Sequence, residues 1–218
     1  MIMTALTELT DQLARAQRLG TATIHEAQGQ RGAVEARIAA LDPGMRLAGP
    51  ALTVDIRPGD NLMIHYALTK ARPGDVLVVD AKGFVDAGPW GDVLTFAAQT
   101  IGLAGLVIDG AVRDAANIVD MGFPVFCRGL SIRGTNKHQP GKLNVPLVLG
   151  GVMIQPGDIV VGDRDGLVVI ARDELDRVIE AGEARERKES AMRDKLAQGA
   201  TMVELLGLQA TLAAHGLT

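Results

Sequence analysis

Two short apolar runs that each close on an aspartate, VLVVD at 76–80 and LVID at 106–109, constrain this chain more than any other feature. They are rich in β-branched residues and do not alternate polar with apolar positions, so each suits a strand buried on both faces. Between them, Asp92 to Ile101 has helical spacing. Strand, loop, helix and strand in that order predict an α/β fold.

The rest of the chain fits this frame. Residues 4 to 19 place Leu6, Leu9, Leu13 and Ala16 on one helical face, and Gly20 ends that helix. Thr21 and Thr23 can cap a second short helix through Ala27. Gly49 to Ile56 (GPALTVDI) reads as a strand and Asn61 to Lys70 as a helix. Further strands are expected at Val125 to Cys127, Pro146 to Leu149, Ile159 to Val161 and Leu167 to Ile170. The polar, glycine-rich stretch Gly129 to Gly141 is a loop, and Pro-Gly-Asp turns begin at Pro58, Pro73 and Pro156. From Arg172 to about Gln198 runs a highly charged helix whose narrow apolar face suits leaning on a neighbouring subunit. With no low-complexity linker, 1–218 reads as one α/β domain of mixed sheet with helical extensions at both ends.

Composition removes several function classes. Aromatic residues are only 3% of 218, so no stacking platform for bases is available. A net charge of −4 argues against nucleic acid or an anionic membrane as partner. No run of about 18 apolar residues predicts a membrane span. A lone Cys127 excludes an internal disulfide and suits a reducing, cytoplasmic compartment. His25, His65, His138 and His215 show no paired spacing for zinc.

Chemistry in α/β folds gathers at the carboxyl ends of strands. After VLVVD comes a loop carrying Trp90-Gly91-Asp92-Val93-Leu94; after LVID comes Arg113-Asp114. Asp92 stands where a helix begins, so it is either a cap or part of a site in which the amides of Val93 and Leu94 hold a carboxylate. Asp114 is likewise a helix cap or an oxygen ligand for Mg²⁺ or Mn²⁺, with the Arg113 guanidinium facing a developing oxyanion. His25-Glu26 reads as a cap pair or a catalytic pair. Lys82, at a strand end, is either a solvated loop residue or a Schiff-base amine.

A larger pattern is carried by Gly91-Asp92-Val93-Leu94, the twenty residues separating Asp92 from Arg113-Asp114, and GLVIDGAVRD at 105–114. With TATIHEAQG at 21–29, RPGD at 72–75, RGTNK at 133–137, GDRDG at 162–166 and Arg187-Lys188-Glu189, it resembles the class II 4-hydroxy-4-methyl-2-oxoglutarate/4-carboxy-4-hydroxy-2-oxoadipate aldolases. These share their fold, termed RraA-like, with the regulators of ribonuclease E activity.

The resemblance implies a layered α/β/β/α sandwich assembled as a trimer or a pair of trimers, with sites between subunits. It implies Asp114 as the direct ligand of Mg²⁺ or Mn²⁺ and Arg113 on the 2-oxo oxygen. Gly91, Asp92, Val93 and Leu94 would line the carboxylate site, Asp92 would order water, and Glu189 or Glu186 would enter from a neighbouring subunit. The implied activity is retro-aldol release of pyruvate, with oxaloacetate decarboxylation; the alternative is a non-catalytic regulator binding ribonuclease E or another protein. His25-Glu26 is closer to the aldolase branch than to the regulators, which usually carry Asp-Ala there. The loop Thr135-Asn136-Lys137-His138-Gln139 departs from the small, apolar residues usual at this place; if it borders the distal end of the substrate, the acceptor half differs.

Overall fold

A computed structural model describes residues 2–217, with side chains from residue 7 onward. Leu6, expected on the first helical face, lies outside the described side chains. The two apolar runs become the central strands: β2 (Leu47–Asp55), β3 (Val76–Phe84), β4 (Gly105–Val112) and β5 (Val125–Leu130) are parallel neighbours. The intervening helices α2 (Leu62–Leu68), α3 (Asp92–Ile101) and α4 (Ala115–Asp120) make the crossovers. Antiparallel strands complete the sheet: β1 (Ala39–Ala40) on β5, β6 (Lys142–Leu143) and β9 (Ile159–Asp163) on β2, and β10 (Gly166–Ile170) on β9. A separate hairpin joins β7 (Leu147–Leu149) to β8 (Val152–Ile154).

Alternation along the strands builds the layers. Leu77 and Val79 of β3 face a core with Leu106, Ile108, Leu94 and Ile118, under α2, α3 and α4. Val76 and Val78 face the opposite way, into a middle core with Phe126, Val160, Leu167 and Leu149. Ile159, Val161, Val168 and Ile170 point outward from that middle core to a third one, beneath α1 (Ile2–Ala27) and α5 (Leu175–Ala197). The sheet therefore curls until β9 and β10 lie over β3 to β5, giving the expected α/β/β/α order. Phe126 and Gly162, from strands well apart in the sheet, meet in the middle. A Cβ at Gly162 would lie 2.8 Å from the Phe126 ring.

The outer pair α1 and α5 is joined by the Arg15–Glu183 ion pair, at 2.8 and 3.0 Å. Gly20 breaks α1 with φ 77, as its place in the sequence suggests. The second segment is capped by Asp163 of β9, whose carboxylate accepts from the Thr21 N–H at 2.8 Å and its hydroxyl at 2.7 Å. That long-range cap was not legible in the local sequence. The charged helix begins as a 3₁₀ turn, Arg172–Glu174, and no residue of α5 beyond Gly182 is buried. Two short helices follow that periodicity did not predict, α6 (Met202–Leu205), held by a Thr201–Glu204 capping box, and α7 (Gln209–Ala214).

Phe126 is fully buried at the closure of the sheet. Phe126→Ala is expected to lower stability by about 3–5 kcal/mol, read as a fall in the urea midpoint.

Candidate functional site

Two buried contacts shape the loop between β3 and α3. Trp90 is fully buried, stacks on Phe123 at 6.2 Å, and donates from its indole nitrogen to Thr95 Oγ1 at 2.8 Å. Thr95 in turn donates to the Gly91 carbonyl at 3.0 Å, which fixes where α3 starts. The Arg113 N–H then donates to the Trp90 carbonyl at 2.9 Å and fastens the exit of β4 to this loop.

Asp92, Arg113 and Asp114 consequently share one cleft. The Asp92 N–H donates to Asp114 Oδ2 at 3.3 Å, and Arg113 Nε lies 3.5 Å from the same oxygen. Asp114 adopts left-handed backbone geometry, φ 57, uncommon for a residue with a side chain and typical of functional turns. Asp114 occupies the N-cap position of α4, as the capping reading expects, but its side chain makes no cap hydrogen bond. Glycine at 91 is a matter of space: an added Cβ would sit 2.4 Å from Asp114 Oδ2 and 3.1 Å from Arg113 Nε.

Asp92 is the first residue of α3 and not its cap, a position that falls to Gly91. One Asp92 oxygen accepts from the Val93 N–H at 2.7 Å and the other from the Asn117 amide at 2.9 Å. The Asn117 amide is the main reason the Asp92 carboxyl lies below its ordinary range; desolvation opposes it, and the Val93 N–H and Arg113 charge reinforce it. The Val93 amide, expected to face a substrate carboxylate, is thus already engaged by Asp92. Asn117 escaped sequence reading because only the helix-to-helix approach of α3 and α4 brings it to Asp92.

Beside these residues lies a cavity of about 230 Å³ between Asn61, His65, Gly91–Leu94, Arg113 and Lys137. A second hollow of about 280 Å³, on the Asp114 side, is bordered by Leu130, Ser131 and Ile132. Asn61 is buried and donates to the Pro89 carbonyl at 2.9 Å, while its Oδ1 has no partner among the described residues. Desolvation first, then the Lys137 charge, depress the His65 pKa and favour the neutral ring. Lys137 was singled out in a loop of unassigned place; Asn61 and His65 carried no signal.

Other candidates lie apart. Lys82 is exposed at its strand end, as the solvated reading expects, but it is not a free amine: its ammonium pairs with Asp55 at 2.6 Å and Asp80 at 2.5 Å. Desolvation alone would lower its pKa, but the two carboxylates outweigh it and raise it, which removes the Schiff-base reading. Desolvation pushes the Cys127 thiol up to about 11, so it is no nucleophile. His25 and Glu26 are in the last turns of α1, where Glu26 faces Arg185 at 3.7 Å. Glu189 is on α5 in the opposite outer layer, held by Arg185 at 2.9 Å; within one chain it does not meet Asp114. Glu186 is exposed on the same helix.

Among the described residues, no three His, Cys, Asp or Glu side chains gather to hold a metal. The donors present are Asp114, whose Oδ2 has the 3.3 Å amide contact and the 3.5 Å approach of Arg113 Nε, and adjacent Asp92. Few carboxylate oxygens with room for water suit a hard ion such as Mg²⁺ or Mn²⁺ and not zinc.

A family model described as RraA-like, Aldolase/RraA, matches residues 11–169. The chain belongs to the RraA-like family. A relative from Halalkalibacterium halodurans, named "Putative 4-hydroxy-4-methyl-2-oxoglutarate aldolase", is 37% identical over 181 residues, 83% of this chain and 86% of its own. An uncharacterized Pseudomonas syringae pv. tomato protein of known structure aligns with TM-score 0.81 and 31% identity, over 89% of this chain and 92% of that one. Streptomyces coelicolor RraAS2, described as an unusual member of the RNase ES inhibitor RraA family, aligns with TM-score 0.75 and 31% identity, over 84% and 96%. The RraA-like family thus includes an aldolase-named relative and an inhibitor-named one. No described helix is long and apolar enough to cross a membrane.

Gly91→Ala should displace Asp114 and Arg113 without backbone strain. The expected result is loss of activity by about 10²-fold with a melting temperature near that of the wild type, read by turnover and thermal denaturation side by side.

Proposed function

We propose that this RraA-like protein is a divalent-metal-dependent pyruvate aldolase. It cleaves 4-hydroxy-4-methyl-2-oxoglutarate or 4-carboxy-4-hydroxy-2-oxoadipate to pyruvate plus pyruvate or oxaloacetate, and decarboxylates oxaloacetate. The observation that carries this reading is the gathering of Asp92, Arg113 and Asp114 within 3.5 Å contacts beside a cavity sized for a small acid.

In this reading the Arg113 guanidinium donates to the 2-oxo oxygen of the substrate and accepts the negative charge that develops there. Asp92, kept ionised by Asn117, orders a water that removes the proton from the distal hydroxyl. The O–H electron pair becomes the new carbonyl of the departing fragment. The C–C bond pair passes to pyruvate as its enolate, which then takes up a proton. Gly91 to Leu94 line the carboxylate end of the substrate. Asp114 would hold Mg²⁺ or Mn²⁺, which would supply Lewis-acid charge stabilisation to the enolate.

The protein works as a trimer or hexamer in this proposal, with Glu189 or Glu186 entering from a neighbouring subunit. Val93 and Phe96 of α3 and Leu130 and Ile132 at the second hollow are exposed apolar side chains around the cleft, which suits burial by another copy. The free, buried Cys127 suits a cytoplasmic setting. A second reading, a regulator that binds a ribonuclease or another protein, is favoured by the likeness to inhibitor-named structures such as that from Streptomyces coelicolor.

Arg113→Ala and Asp114→Ala are each expected to lower pyruvate release by about 10²-fold or more with the fold intact. Chelation should abolish release, and Mg²⁺ or Mn²⁺ should restore it, in a lactate-dehydrogenase-coupled assay. Near-normal turnover in either variant would falsify the roles; absence of turnover on all three acids would leave the regulator reading.

A further inference from the structure

We propose that Lys137 is the specificity-determining residue of this cleft, its ammonium binding a second carboxylate on the fragment that departs. The inference rests on the aldolase reading for which end of the substrate is which, and on geometry for the residue.

The backbone on both sides of Lys137 is fastened to the rim of the cleft. Asn136 donates to the Gly59 carbonyl at 2.9 Å and accepts from the Asn61 N–H at 3.0 Å. The His138 and Gln139 N–H groups donate to one oxygen of Asp60 at 2.8 and 3.1 Å, and the Leu62 N–H to the other at 2.9 Å. Asp60 is 1% exposed. A carboxylate is buried at large cost unless its oxygens are fully bonded, and these three amides meet that condition. Desolvation works to raise its pKa, but the amides outweigh it and hold the group ionised. The anchor also sits next to Asn61, which holds the Pro89 carbonyl of the Trp90 loop. Residue 137 is therefore fixed relative to Gly91 and Asp92, although the surrounding loop is exposed.

The charges in the cavity then assign the role. Arg113 faces Asp114 at 3.5 Å, and Asp92 is held by Val93 and Asn117. Lys137 lines the same cavity, faces His65, and has no carboxylate partner among the described residues. A 2-oxo acid with one carboxylate is served by Arg113 and the α3 end, which leaves a fixed cation unused. A substrate with a second carboxylate, a few bonds beyond the 2-oxo group, uses it.

The test compares wild type, Lys137→Met and Lys137→Arg on two substrates: 4-hydroxy-4-methyl-2-oxoglutarate, with the second carboxylate, and 4-hydroxy-2-oxopentanoate, without it. The ratio of kcat/KM for the first over the second should fall about 10- to 100-fold in Lys137→Met, mainly through KM, and recover in Lys137→Arg. An unchanged ratio overturns the inference. Calorimetric binding of 2-oxoglutarate and of pyruvate, in wild type and Lys137→Met, separates this inference from the reaction itself. If wild type turns over neither substrate, yet 2-oxoglutarate affinity falls selectively in Lys137→Met, the aldolase reading fails and the carboxylate site stands. Equal losses for the two anions, or no binding of either, sink the site.

Discussion

The Arg113 N–H to Trp90 carbonyl bond joins the two halves of this molecule's chemistry. Without it, the loops after β3 and β4 would leave the sheet independently, with Asp92 on one and Asp114 on the other. Its strength is ordinary for a backbone hydrogen bond. Its consequence comes from what stands behind it: a fully buried Trp90 locked by Thr95 and Phe123 on one side, and an eight-residue strand buried at every position on the other. Two rigid supports turn one bond into a fixed distance between side chains.

The same sheet carries a second set of charges that has the opposite character. Asp55, Asp80 and Lys82 neutralise one another, and Arg128 pairs with Asp109 and Glu35. These pairs are satisfied, and Arg128 and the two aspartates Asp80 and Asp109 are largely buried. At Asp92, Arg113 and Asp114 the contacts are longer and the side chains more open, with exposures of 46% for Arg113 and 37% for Asp114. Charge that is already paired and dry stabilises a fold; charge that is loosely paired and wet can be handed to a ligand. The Schiff-base reading of Lys82 failed on its close pairing with Asp55 and Asp80, since the side chain itself is exposed, and a sequence does not display such pairing.

Where the chain was legible, it was so because the signal was local. VLVVD and LVID announced buried strands, α3 runs from Asp92 to Ile101 as its spacing predicts, and Gly20 breaks α1. The GPALTVDI run became β2 with its start two residues earlier. Long-range partners were illegible. The Asp163 cap on Thr21 spans 142 residues, and β1 and β6 are two-residue strands that exist only because β5 and β2 offer edges. In the cleft, the loop positions 91 to 94, 113 and 114 were visible from motif and strand-end logic. Asn117, Asn61 and His65 were not, because each reaches the site from another element. Glu189 shows the same limit: its helix was plain in the sequence, but the layer on which that helix packs was not.

Asp60 has a wider implication. It grips its loop entirely through main-chain N–H groups of His138 and Gln139, and Asn136 is gripped through its own amide and carbonyl. Every residue type except proline brings such groups. The side chains at these positions are consequently free to drift while the loop keeps its shape. Under the aldolase reading, a substitution at residue 137, between the gripped positions, would alter the acceptor preference while the loops after β3 and β4 stay as they are.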